Sequence, residues 1–437
     1  MIKLIRNISG STLFLNSSIA SVDQAILSAL NFAISIILIK TVSKVEFGYY
    51  SIAFAVVQFL ISVQSSIVNT PLAVLLVEKT GVQRQKYPAS LYYGQFIVII
   101  PAVCLGLVAG GFMYLYGFDP VKSSLVSAIS IAAIGLFSLE FLRGYHFADE
   151  TPLRVLKMDV FYVLLFMSLL IFSLFLNRLS IAAVFILSGI CGFVVSVFFL
   201  SQRDWRFDLR TVKESYRENW RFGKWALLGV IVTHLQNYSL IYIIGALLGS
   251  AAVAEVSAAR LLMTPLLLAQ IGWGKIVLPH GSRLRENNQT KRFFKQQVVA
   301  CLIFITCIIA YIVVMISLSG FLNRFLFTQG YVDSFVYFKY WGVFYVIFFI
   351  ALSASYGLQV LKKFSILSKV NVFTMLVTVG CAYFFIQNFG IIGGFAALIL
   401  GGALAAIFFW YIFAKEVLPR EEDRPTSNIK KESYSQA

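Results

Sequence analysis

Apolar residues run along this 437-residue chain in stretches of about twenty or more, separated by short polar intervals. A hydrocarbon core about 30 Å thick needs about 20 such residues per helix, so each stretch predicts one crossing helix. The stretches fall at 12–39, 48–77, 90–116, 122–142, 156–176, 180–201, 223–249, 252–278, 296–318, 335–360, 365–387 and 391–413. Alternating segments typical of a membrane barrel are missing, and a backbone in lipid must satisfy its own polar groups. The expected fold class is an all-α polytopic membrane protein with about 12 transmembrane helices.

Polar positions inside these stretches are themselves periodic. The first holds Ser17, Ser21, Gln24, Ser28, Asn31 and Ser35 at alternating spacings of four and three, one helical face, with Asp23 beside it. The second repeats the pattern with Ser51, Gln58, Ser62, Ser65 and Asn69, and the seventh and eighth hold His234, Gln236, Asn237, Ser257, Arg260, Thr264, Gln270 and Lys275. Two readings stand side by side. Small hydroxyl residues let helices approach and hydrogen-bond across their contact. Asp23, Gln24, Asn31, Gln58 and Asn69 cost more to bury, which points to a water-filled cavity.

Arg260 lies two turns inside its stretch, where its guanidinium either snorkels to the nearer surface or grips a phosphate or carboxylate in bidentate geometry. Lys275 stands near the other end beside Gly272-Trp273-Gly274, as an interfacial anchor or as a ligand. The substrate-binding candidates are thus Arg260, Asn31, Gln24, Gln58, Asn69, Asn237, Gln236 and Lys275. Asp23 and His234 are candidates for accepting a coupling proton, with polar packing as the alternative role. Pro265 predicts a kink, and with it a hinge.

Composition removes a water-soluble fold: 59% of residues are hydrophobic and 13% charged, against about 25% charged in soluble domains. The five cysteines all fall in apolar runs with no paired or Cys/His spacing, so neither disulfides nor a metal site are expected. The net charge of +16 is unevenly placed. With the amino terminus in the cytoplasm, 28 of the 36 Lys and Arg face the cytoplasm and five face the other side, which orients both termini inward. The basic loops then read as topology signals that attract anionic headgroups rather than nucleic acid. Lys3 and Arg6 before an apolar run imitate a secretory signal, but Asn16-Ser17-Ser18 interrupts that run and a retained first span fits better.

Six stretches precede the basic segment around 202–224 and six follow it. A shift of 206 places Asn31 on Asn237 and Ser51 on Ser257, and a shift of 211 places Asn177 on Asn388 and Phe198 on Phe409. Even-numbered halves enter from the same side, predicting parallel repeats with cargo bound between them. The expected division is an N-terminal six-helix lobe at 1–205, a cytoplasmic linker at 206–222, a C-terminal six-helix lobe at 223–415 and a cytoplasmic tail at 416–437. No nucleophile elbow, zinc-protease helix, P-loop or dinucleotide fingerprint occurs, so an enzyme, a cofactor and nucleotide-driven transport are not expected.

Several segments, in order, resemble the bacterial polysaccharide flippases of the multidrug, oligosaccharidyl-lipid and polysaccharide exporter superfamily. They are Lys40-Thr-Val-Ser-Lys-Val-Glu-Phe-Gly48-Tyr-Tyr50, Leu142-Arg-Gly144, Gly245 to Arg260, Pro279, and Asn388-Phe-Gly-Ile-Ile-Gly-Gly394. Lys40, Thr41, Glu255 and Val256 depart from the family's usual residues. The resemblance implies two lobes of six helices in the cytoplasmic (inner) membrane. It also implies flipping of a polyprenyl-diphosphate-linked oligosaccharide, an O-antigen, capsule or exopolysaccharide repeat unit, to the outer leaflet. With no nucleotide site, the driving force is expected to be a proton or sodium gradient or downhill consumption of the flipped product, with polymerase or export machinery as possible partners. A multidrug antiporter of the same superfamily and a membrane-embedded glycan polymerase or ligase are the competing expectations.

Overall fold

The computed structural model describes residues 12–202, 205, 207–327, 331 and 333–418. Lys3, Arg6, Arg203, Arg206, the Ser17 side chain and the tail beyond 418 lie outside the described residues. Helix α1 (Thr12–Thr41) turns through Val42 and Ser43 into α2 (Lys44–Glu78). Ser43 and Glu46 form a reciprocal capping box, with the Ser43 backbone N–H donating to Glu46 Oε2 at 2.9 Å. Helices α3 (Gly81–Leu115), α4 (Pro120–Ala148), α5 (Pro152–Phe175) and α6 (Ile181–Leu200) complete the first half. α4 and α5 each open on a proline, which lacks an N–H just where a helix start would leave one unpaired.

The second half begins with α7 (Leu209–Leu247) and turns at Gly249, whose φ of 87° suits a residue without Cβ. It continues as α8 (Ser250–Leu261), α9 (Thr264–Glu286), α10 (Thr290–Ser317), a short α11 (Ser319–Leu326), α12 (Ser334–Val360) and α13 (Phe364–Val417). At 1.5 Å per residue α13 would reach about 80 Å if straight, more than twice a hydrocarbon core. Gly390, at φ 60° and ψ −144°, breaks it into two arms.

Among the described residues ten helices are long and apolar enough to cross a membrane, and α8 with α9, bent by 55°, makes an eleventh. Dividing α13 at Gly390 gives twelve crossings, six in each half. No strand occurs among the described residues. Three boundaries differ from the hydropathy reading. α4 runs on to Ala148, so Arg143, counted with the loop charges, sits inside the bundle. α7 begins at Leu209, so most of the expected linker is helix. The small α11 was hidden because a two-turn amphipathic helix leaves no long apolar run.

Within the first half α4 packs against α6 and α3, and α1 lies on α5; in the second α12 packs against α13 and α10. The α4–α6 crossing is close because Gly135 faces the Gly189 backbone and Gly189 faces the Ala132 backbone, leaving no room for a Cβ on either. The halves meet where α2 runs against α8 and α7. One end of the bundle holds the α1–α2 and α7–α8 turns (the hairpin end), and the other holds the connection from α6 to α7 (the connection end).

At the connection end the first turns of α7 form an arm laid on the other half. Lys86 pairs with Asp208 at 3.0 Å, and its ammonium holds that carboxyl below the usual range. Lys79 pairs with Glu218 at 2.8 Å, and the Tyr216 hydroxyl donates to the Leu91 carbonyl. The fully buried Asn219 makes the tightest link. Residues Ser65–Asn69 of α2 are wound as a π-helix, which frees backbone carbonyls. The Asn219 amide donates to two of them, Ile67 and Val68, each at 3.2 Å, while its oxygen accepts from the Tyr87 hydroxyl.

Candidate functional site

A cavity of about 230 Å³ opens between the halves near mid-bundle. Its first-half wall is Ser28, Asn31, Phe32 and Ser35 of α1 with Phe47, Tyr50, Ser51 and Phe54 of α2. Its second-half wall includes Tyr238, Ser257 and Arg260. The polar stripe of α1 faces this space because its period matches the helix, so the hydroxyls at 28 and 35 and the amide at 31 fall on one side. Hydroxyls, an amide and flat aromatic rings around one cation suit a hydrated, hydroxyl-rich ligand carrying negative charge.

Arg260 is held in place from both sides. Its guanidinium carbon lies 5.1 Å from the Tyr238 ring centre and 5.2 Å from that of Trp341, within cation–π range. One N–H donates to the Asn237 carbonyl at 3.2 Å, and the Tyr345 hydroxyl is within hydrogen-bond reach. Trp341 is fixed in turn by its indole N–H, which donates to the Val256 carbonyl at 3.0 Å. With its faces covered, Arg260 offers its remaining N–H groups at the edge. Among the described residues no carboxylate pairs with it.

A second cavity of about 150 Å³ extends into the first half and shares Asn31, Tyr50 and Phe54 with the first. It is lined by Gln58, Glu140, Arg143 and Asp159. Arg143 donates Nε to Asp159 at 2.9 Å and Nη1 to Glu140 at 2.8 Å, and its Nη2 lies 3.4 Å from Asp23. Asp23 and Asp159 are almost fully buried, one oxygen of each has no partner, and the two carboxyls are close enough to hydrogen-bond. Three acids surround one guanidinium, with Lys275 near Asp23 as a second cation, so the cluster carries an excess negative charge that a bound proton would relieve. Among the described residues no group of His, Cys, Asp and Glu converges as a metal site.

The other sequence candidates spread out. Gln236 donates to the Asn371 carbonyl and Thr374 hydroxyl, binding α7 to α13 and lining a small space with Asn237 and Arg260. Lys275 donates to the Ser21 hydroxyl at 3.1 Å, bridging the halves below the cavity. Gln24 is half-buried and lines neither cavity. Asn69 lies away from both, donating to the Glu140 carbonyl and filling the space over Gly144. His234 is sandwiched between the Phe59 and Tyr238 rings, with Nε2 2.9 Å from the Tyr242 hydroxyl. Pro265 stands in the first turn of α9, at the 55° bend.

Residues 37–336 match the family model described as polysaccharide biosynthesis protein. The chain belongs to this polysaccharide biosynthesis family. Its matched segment runs from the last turn of α1 to the start of α12 and so contains the α2, α7 and α8 walls of the cavities, while the α1 wall at Ser28, Asn31 and Ser35 precedes it. No curated protein matches the sequence. Solved structures supply the fold of this family member. An inward-facing multidrug resistance MATE family transporter of the MOP superfamily superposes with a TM-score of 0.71 at 15% identity, over 89% of this chain and 94% of that one. An outward-facing structure of such a transporter gives 0.63 at 14%, over 94% and 97%. A MOP superfamily transporter from Pyrococcus furiosus, described by a reversed binding-pocket polarity, gives 0.61 at 14%, over 94% and 97%.

Proposed function

We propose that this protein is a flippase that carries a polyprenyl-diphosphate-linked oligosaccharide from the inner to the outer leaflet of the cytoplasmic membrane by alternating access. The observation that carries this reading is Arg260, an unpaired cation clamped between Tyr238 and Trp341 at the edge of a hydroxyl-lined cavity between the halves. A diphosphate or acidic sugar would meet its free N–H edge, and Phe32 and Phe54 offer faces for sugar rings. The two cavities together fall at the low end of the about 300–1,000 Å³ typical of ligand pockets, and the lipid tail can remain in the bilayer. The charge asymmetry of the loops supports both termini facing the cytoplasm, which makes the hairpin end the outer one.

A proton gradient is the driving force this reading favours. Asp159 lines the second cavity, which adjoins the Arg260 cavity, Asp23 meets the same Arg143 guanidinium, and each carboxyl carries one unpartnered oxygen. A drug antiporter reading would use the same carboxylates on a cationic cargo, but Arg143 already engages all three.

The test is the leaflet distribution of lipid-linked oligosaccharide in cells lacking the protein, read by a periplasmic glycan-modifying enzyme. Glycan should accumulate out of reach, and wild type but not Arg260→Ala should restore access. Normal access without the protein would sink the flippase reading.

A further inference from the structure

The hairpin end is closed by contacts that each pair one residue of the first half with one of the second. Lys44, in the first turn of α2, forms an ion pair with Glu255 of α8. Phe47 meets the Tyr331 ring edge-on at 6.2 Å, and both are buried. Lys44 Nζ lies 6.0 Å from that same ring, and Lys40 stands 5.3 Å from the Phe325 ring of α11. Below the ion pair Gly48 lies directly on the Ser250 backbone, where a Cβ would overlap the Ser250 carbonyl. Phe47 also lines the central cavity, so this layer is its roof.

The chemistry of the layer suits a contact that opens and re-forms. Gly48 presents bare backbone to the Ser250 backbone and Cβ, so no long side chain has to disengage. The Glu255 carboxylate is mostly buried and the Lys44 side chain partly exposed, so separation returns both charges to water instead of leaving one stranded. Lys44 is held ready because the capping box occupies Glu46, the nearest competing carboxylate, with Ser43. The other charges at this end are Asp119 and Lys122, both against Tyr49 of α2, Arg178 between α5 and α6, Arg324 at the end of α11, Asp333 at the start of α12 and Lys339 one to two turns into it. None of them is ion-paired to Lys44 or Glu255.

We propose that Lys44–Glu255, roofed by Phe47 and Tyr331 and seated on the Gly48–Ser250 contact, is the latch that closes the cavity at the hairpin end. It parts whenever the cavity opens to that side. The proposal requires only that the halves separate, and is independent of which cargo the cavity holds.

The test uses the full chain in membranes, with its five cysteines replaced and a single cysteine at Ser35, a cavity-wall position. A membrane-impermeant maleimide is applied from the hairpin side. Lys44→Glu should raise the labelling rate about tenfold by moving the closed–open balance. Glu255→Lys should do the same, and the double exchange Lys44→Glu with Glu255→Lys should return it to the starting value. Gly48→Leu, which wedges the contact without touching a charge, should raise labelling also. Unchanged labelling in the single charge variants, or no recovery in the double, overturns the latch. Because labelling needs no glycan, a working latch in a protein that fails the leaflet assay would count against the flippase reading alone.

Discussion

The Arg143 guanidinium donates its Nε to Asp159 at 2.9 Å, in a place where Asp159 has no exposure to solvent. Removing the guanidinium by Arg143→Ala leaves Asp23, Glu140 and Asp159 without their shared partner. Breaking a buried pair from one side costs about 3–5 kcal/mol. The variant is expected to unfold at markedly lower temperature in detergent, whereas Asp159→Asn, which removes excess charge, is expected to lose far less. Equal loss in both would refute a charge-balancing role for Arg143.

Asp159→Asn should separate stability from coupling. In reconstituted vesicles holding a lipid-linked glycan, the wild type is expected to respond to an imposed proton gradient and Asp159→Asn to respond weakly or not at all. An undiminished response in the variant would remove this carboxyl from the driving mechanism.

Arg260→Lys keeps the charge but loses the planar group held between Tyr238 and Trp341. Lysine cannot offer an in-plane pair of N–H donors. Losing hydrogen bonds to a charged group, about 1.5–3 kcal/mol, corresponds to roughly tenfold or more in transport. Trp341→Leu should weaken transport in the same direction by freeing the guanidinium. Full activity of Arg260→Lys in the leaflet assay would show that charge alone suffices.

Gly390→Ala tests the break in α13. At φ 60° and ψ −144° a side chain is strained, by about 1–3 kcal/mol. A lowered thermal midpoint with unchanged helix content is the expected result, and an unchanged midpoint would mean that the turn relaxes without penalty.

The fold was largely legible because membrane-crossing helices announce themselves by length and apolar content. The turn at Gly390 was readable as well, since two apolar stretches met there with only the polar Asn388 between them. The site was legible in part. Asn31 and Arg260 carry their polarity deep inside apolar runs and do face one cavity, whereas Asn69 carries the same signal and serves a helix contact. Periodicity reports that a face is not lipid-exposed; it does not say whether water or another helix covers it.

The acid cluster was half hidden. Asp23 stood out in the sequence, but Arg143 fell just past the predicted end of its span and was grouped with cytoplasmic charges. Its spacing of three from Glu140 was the available sign that the helix continued. Tyr238 and Trp341 gave no sign at all, because an aromatic residue in an apolar run looks the same whether it meets lipid or a guanidinium. Lys44 and Glu255, 211 positions apart, become a pair only once the halves are placed together.

The grip of Asn219 on Ile67 and Val68 means that the covalent seam between the halves and the mechanical seam are not in the same place. Severed within 202–208, the chain would give a second fragment that carries its own handle for the first, fitted to the unwound turn of α2. Severed a few residues after Lys224, the handle would stay with the first fragment and the second would have to find its partner by the contacts of α2 with α8 and the rest of α7 and of α1 with α9. Two proteins cut only some twenty residues apart would then reassemble by different routes, and the molecule is better thought of as two bundles that trade a limb than as two bundles joined by a string.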